Sequence, residues 1–163
     1  MRIRNFILAT IAIALMGAGT QLARAGAMNV YGNGQMVPYV TFTTGGPTSV
    51  VGILSKAKGT VYWSFHDGNG NRRHSGSFAV QAFELSPFVW GVEGPNAATE
   101  LSGTVGYLVF AIDTNGDGKI DAGDTDFVLS ASAFFVDLSA NDVAYIPTLW
   151  LAHSFLTDPT PSN

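Results

Sequence analysis

The sequence predicts an all-β domain, an antiparallel β-sandwich of roughly eight short strands. Three observations point there. Beyond residue 25 the apolar residues fall into short runs, several alternating with polar residues at the two-residue period of a strand. Clusters of Gly, Asn, Asp and Pro separate the runs, and almost no stretch carries a long helical pattern. With 163 residues, 47% hydrophobic and 12% charged, the chain has apolar material for one core and too little length for two ordinary domains. A small up-and-down barrel is the competing closure of the same strands.

Residues 1–25 have the three-part layout of a secretory signal peptide. Arg2 and Arg4 make a positive start, and residues 6–16 (FILATIAIALM) form an apolar run. That run suits the export machinery and is short for a membrane span of about 20 residues. Ala23-Arg24-Ala25 puts small residues at the two positions a signal peptidase reads. Cleavage before Gly26 is expected, with cleavage after Ala27 as the alternative, and no transmembrane segment remains in the mature chain. The chain has no cysteine, which excludes both a disulfide framework and an acylated anchor on that side chain. The expected location is secreted, periplasmic or at the cell surface.

Past the signal peptide, residues 37–43 and 48–54 flank the turn signal Thr44-Gly45-Gly46-Pro47, so a hairpin is the economical reading. Val61, Trp63 and Phe65 alternate with Tyr62, Ser64 and His66, which places three large apolar side chains on one strand face. The expected partner is 77–80, across a polar tip at 67–76. Residues 85–92 (LSPFVWGV) contain Pro87 and suit a sheet edge. Residues 97–103 are polar and read as a loop. Residues 107–112 are apolar at every position, as in a strand covered on both faces. Phe127, Leu129, Ala131, Ala133 and Phe135 then alternate with Val128, Ser130 and Ser132, favouring a further strand. The last candidate strand is 143–152, interrupted at Pro147, ahead of a polar tail at 157–163.

Signal cleavage removes three of the eight basic residues and none of the twelve acids, taking the net charge from −4 to −7. Five acids, Asp113, Asp117, Asp121, Asp124 and Asp126, lie within fourteen residues, with Lys119 the one cation among them. Negative charge concentrated in one place points to a cation as partner and away from nucleic acid.

The stretch itself reads Asp113-Thr114-Asn115-Gly116-Asp117-Gly118-Lys119-Ile120-Asp121-Ala122-Gly123-Asp124. Oxygen-bearing side chains at loop positions 1, 3 and 5 alternate with small residues, so a chain winding about a point can aim all three inward. Gly118, sixth in the loop, supplies the turn with positive φ that a Cβ resists. Lys119 offers its backbone carbonyl, Ile120 gives the loop an apolar foot, Asp121 binds directly or through water, and Asp124 closes the shell. Tight turns at Asn115-Gly116 and Asp117-Gly118 would explain the glycines but not four mutually repelling carboxylates. Six or seven protein oxygens match calcium better than magnesium.

This pattern resembles the twelve-residue calcium loop of the EF-hand family and, with Asp at its last position, the loop of bacterial dockerins. The resemblance implies calcium coordination by Asp113, Asn115, Asp117, the carbonyl of Lys119, Asp121 and Asp124, and nothing beyond coordination. A dockerin has two such loops where this chain has one, and an EF-hand loop follows a helix where residues 107–112 read as a strand.

Other constellations are weaker. Asp67-Gly68-Asn69-Gly70-Asn71 begins like a second calcium loop, but Arg72 and Arg73 stand where a glycine and a carbonyl ligand belong, so a hairpin tip is expected. His66, His74 and His153 lack zinc-motif spacing, though His66 and His74 could face each other across the hairpin. Glu84, Glu93 and Glu100 could include an acid–base pair of a polysaccharide hydrolase, with nothing to set their separation. Trp63, Trp90 and Trp150 could stack on sugar rings, but most aromatics are needed for the core. The expected protein is therefore an exported, non-catalytic, calcium-stapled β-sandwich whose further partner is a surface glycan or a protein. The alternatives are a secreted polysaccharide hydrolase or carbohydrate-binding module, and a small outer-membrane barrel. The barrel is disfavoured by the Pro159-Thr160-Pro161-Ser162-Asn163 ending and by strands without a steady lipid-facing alternation.

Overall fold

Alternation settles the central strands. In the computed structural model, which describes residues 32–92, 101–125 and 127–152, nine antiparallel strands form and no helix is present among those residues. The expected signal peptide at 1–25, Glu93, Glu100, Asp126, His153 and the tail at 157–163 lie outside them. The strands are β1 (Gly34–Phe42), β2 (Thr48–Ser55), β3 (Gly59–Asp67), β4 (Arg72–Val80), β5 (Leu85–Val89), β6 (Thr104–Asp113), β7 (Leu129–Asp137), β8 (Asp142–Ile146) and β9 (Leu149–Leu151).

Hydrogen bonding links these strands into one continuous sheet, which folds into two layers. One runs β4-β3-β6-β1, with β9 on the far side of β1; the other runs β5-β2-β7-β8. The layers are continuous at a corner where β1 and β2 share the single pair Phe42↔Thr48, and at the bridge Gly32↔Leu129. One buried cluster joins them, taking Val37, Val61, Phe65, Leu108, Phe110 and Ile112 from the first layer and Val51, Ile53, Phe88, Leu129 and Ala133 from the second. Burying apolar side chains of both layers against each other is the packing of a sandwich.

Aromatic rings form the middle of that core. Trp63 and Phe65 of β3 meet Phe88 and Trp90 from the opposite layer, with Trp63–Phe88 centroids 5.3 Å apart and Phe65–Trp90 4.6 Å apart. Phe88 also meets Phe110 edge-on at 5.2 Å. Such offset and edge-on pairs add about 0.5–1.5 kcal/mol each beyond area burial. Trp150, by contrast, is 51% exposed and packs beside Phe127.

Several sequence expectations hold at the level of single strands. Val61, Trp63 and Phe65 are buried on one face of β3. β6 is flanked by β3 and β1 and buries Leu108, Val109, Phe110, Ala111 and Ile112, so both its faces are covered. β5, which contains Pro87, pairs among the described residues with β2 alone and is an edge there. A proline also stands in the centrally placed β1, where Pro38 falls in the register shift between Val37 and Val40. A bulge is the one interior place where a missing N–H costs no ladder bond.

Other expectations are corrected. The 37–43/48–54 hairpin closes with Thr43 N donating to Pro47 O at 2.8 Å, but its arms diverge at once into different layers, because each has a longer apolar partner elsewhere. The partner of β3 runs from Arg72, not 77, so the polar tip is short, with Asp67 N donating to Asn71 O at 3.0 Å. The stretch 143–152 is two strands, β8 pairing with β7 and β9 with β1, since Pro147 has no donor with which to continue a ladder. Phe127 precedes β7 at φ 53° and is exposed instead of sharing the inward face of Leu129 and Ala133.

Gly76 of β4 lies opposite Trp63, and a Cβ there would sit 2.8 Å from Trp63 Cζ2. The indole, 2% exposed, has nowhere to move. Gly76→Ala should therefore destabilise the domain by about 1–3 kcal/mol in urea unfolding. Reduced chain entropy alone would stabilise it by about 0.4–1 kcal/mol, so the sign of the change tests the packing.

Candidate metal-binding loop

The loop begins where β6 stops. Asp113 is the last residue of β6, held opposite Thr60 of β3 at the centre of the first layer, and the chain returns at Leu129 to start β7 in the second. The acidic segment is thus the connection that crosses between the layers.

Its backbone is folded onto its own side chains. Gly116 N donates to Asp113 Oδ1 at 2.6 Å and Gly118 N donates to Asp113 Oδ2 at 2.9 Å. Thr114 N donates to Asp124 Oδ1 at 2.7 Å and Asp121 N donates to Asp124 Oδ2 at 3.0 Å. Asn115 Oδ1, Asp117 Oδ1 and Asp121 Oδ1 each accept from the N–H two residues on, those of Asp117, Lys119 and Gly123. Gly116 and Gly118 both have φ of 81°, the conformation this winding needs and a side chain resists. Gly123 leaves room for the Asn115 amide, since a Cβ there would lie 2.8 Å from Asn115 Nδ2.

The six sequence-predicted residues separate into two groups. Asp113 and Asp124, the first and last of the loop, are buried at 2% and 6% exposure. Asn115, Asp117, Lys119 and Asp121 are exposed on the winding between them, while Ile120 is half-buried. Among the described residues no three carboxylate or imidazole side chains converge into a ready-made metal cluster. Among the same residues the one ion pair is Arg73 with Asp67 at 3.5 Å, so neither buried carboxylate is met by a cation.

The look-alike segment at Asp67 is a hairpin tip, as its arginines indicate. Asp67 Oδ1 accepts from Asn69 N at 2.9 Å and Asn71 N at 3.1 Å. Desolvation pushes the Asp67 carboxyl up, but these backbone and side-chain hydrogen bonds, with Arg73, outweigh it and hold its pKa below the ordinary range. His66 and His74 do not face each other. His74 lies opposite Phe65, and a register shift separates it from His66 on the other face of β3.

One arrangement carried no signal in the spacing rules. Ser64 and His66, two apart on β3 and so on one face, are hydrogen-bonded through Oγ and Nε2 at 3.0 Å, and His66 Nδ1 lies 3.3 Å from Gly70 O. The imidazole is also stacked on Tyr107 at 4.8 Å. This has the form of a nucleophile–base pair with an orienting acceptor. Ser64, however, is 1% exposed, so its hydroxyl meets no substrate, and the pair pins the hairpin tip to the sheet. Glu84 is exposed.

Asp124→Ala removes the acceptor of two backbone donors at the base of the loop. It should cost about 1–3 kcal/mol in urea unfolding even with a chelator present. Asp117→Ala, at an exposed position, should stay within about 0.5 kcal/mol under the same conditions. Equal losses would show that the buried base has no special part in holding the loop.

No protein-family model matches the chain, and no curated protein matches it. Among solved structures it is similar to FlgD from P. aeruginosa, at 16% identity and a TM-score of 0.39, covering 73% of this chain and 87% of that one. It is also similar to FlgD from Xanthomonas campestris, a structure described for its insights into hook capping in flagellar assembly. That match has 17% identity and a TM-score of 0.29, covering 78% of this chain and 74% of the other. At such identities and scores, neither role nor partner carries over from those proteins.

Proposed function

We propose that this chain is an exported, non-catalytic β-sandwich in which one calcium ion, held by the loop from Asp113 to Asp124, acts as a structural staple. The observation that carries the reading is the pair of buried carboxylates, Asp113 and Asp124, which no cationic side chain meets among the described residues. Buried charges are paired or coordinate a metal. The two are tied by backbone donors to the ends of one loop; Asp113 Oδ1, Asp113 Oδ2 and Asp124 Oδ2 each accept one hydrogen bond and retain lone-pair capacity for an ion, whereas Asp124 Oδ1 accepts from both Thr114 N and Thr114 Oγ1.

Calcium would complete its shell from the exposed winding, with Asn115 Oδ1, an Asp117 oxygen, the Lys119 carbonyl and Asp121 joining the buried pair. Export rests on the leader-like residues 1–25 and fits a staple, because calcium outside the cytoplasm saturates even a weak site.

Thermal melts of the mature chain test this. With calcium at about 100 times its dissociation constant the domain should gain about 2.7 kcal/mol. That corresponds to a midpoint higher by about 10 °C than in chelator. Asp117→Ala should abolish the calcium-dependent rise while leaving the midpoint in chelator nearly unchanged. A wild-type midpoint that calcium does not move would sink the proposal.

A further inference from the structure

Of the chain's three Asn-Gly dipeptides, Asn33-Gly34 is buried at the start of β1, while Asn69-Gly70 and Asn115-Gly116 are exposed, each in a tight turn with its glycine near φ 80°. Asn-Gly is the dipeptide in which the glycine nitrogen most readily attacks the asparagine side chain, because no Cβ obstructs the ring closure. The N–Cγ bond forms, the Cγ–Nδ2 bond breaks, and ammonia leaves. Water then opens the five-membered succinimide at either carbonyl to give aspartate or isoaspartate. The balance is asparagine plus water to aspartate or isoaspartate plus ammonia, with no oxidant or reductant.

The surroundings of the two dipeptides differ at the atoms that react. Ring closure at residue 115 must remove the proton of Gly116 N, and that N–H already donates to Asp113 Oδ1 at 2.6 Å. Negative charge then develops on Asn115 Oδ1, which already accepts from Asp117 N at 2.9 Å. A proton acceptor on the nucleophile and a donor on the developing oxyanion are the two elements of acid–base and oxyanion assistance. Asp113 is buried, so its carboxylate is held in place by the sheet. At the other dipeptide, Gly70 N donates instead to the main-chain carbonyl of Asp67 at 2.9 Å, a far weaker proton acceptor.

We infer that Asn115 is the preferred site of spontaneous conversion to aspartate and isoaspartate of the two exposed Asn-Gly dipeptides, assisted by the Asp113 carboxylate and the Asp117 N–H. Isoaspartate inserts an extra methylene into the main chain and breaks the one-three-five spacing of the loop; aspartate keeps the spacing and adds a charge. Resting on the proposed calcium reading, an ion that binds Asp113 and Asn115 Oδ1 takes both groups out of reach of the reaction and protects the site.

The test is peptide mapping by mass spectrometry, with isoaspartate detection, of the mature protein aged at neutral pH in chelator. Conversion at Asn115 should exceed that at Asn69 by at least about tenfold, a modest return for positioned proton transfer. Asp113→Asn should bring Asn115 down toward the Asn69 rate. Equal or faster conversion at Asn69 in the wild-type protein, which involves no folding question, would overturn the inference. A parallel arm in calcium should slow Asn115 and leave Asn69 unchanged. If the order in chelator holds but calcium has no effect, the modification site stands and the calcium reading is what fails.

Discussion

Two carboxylates are buried at the base of one loop, and the layout of the domain turns on how they are satisfied. Asp113 ends the most enclosed strand of the first layer; Asp124 lies just ahead of the strand that begins the second layer's middle. Their backbone partners, Gly116, Gly118, Thr114 and Asp121, close the segment onto itself. Closing a loop is an entropic cost that falls on the connection between layers, so whatever holds this loop also holds the crossing. A divalent ion bound at its centre would act on that crossing directly.

Elsewhere the sandwich relies on packing, since no disulfide is available. Trp63, Phe65, Phe88, Trp90 and Phe110 interlock across the layers, and glycines give them room, as Gly76 does beneath the Trp63 indole. The free edges carry features that discourage pairing with other chains. β5 contains Pro87, β4 opens with Arg72 and Arg73, β8 begins with Asp142, and β9 is three residues long. Short, charged or proline-bearing edges are how open sheets avoid edge-to-edge association.

Much of this was legible from periodicity. The alternation of Val61, Trp63 and Phe65 reported a strand with one buried face, the unbroken apolar run at 107–112 reported a strand covered on both, and Pro87 reported an edge. Periodicity says nothing about which strands become neighbours, so the turn at Thr44–Pro47 looked like an ordinary hairpin although its arms separate into two layers. A proline reads as an interruption, whereas Pro147 passes the chain from one layer to the other. The loop's own winding was visible because its oxygens and glycines are local in sequence. The burial of Asp113 and Asp124, and the Ser64–His66 contact, depend on register and tertiary packing, which spacing alone does not encode.

The central claim, that the loop binds a single calcium ion, is tested most directly by isothermal titration calorimetry of chelator-stripped mature protein with calcium. The account predicts saturable heat with a stoichiometry of one ion per chain, lost in Asp113→Ala. A folded protein that takes up no calcium, or one that binds equally well without the Asp113 carboxylate, would contradict it.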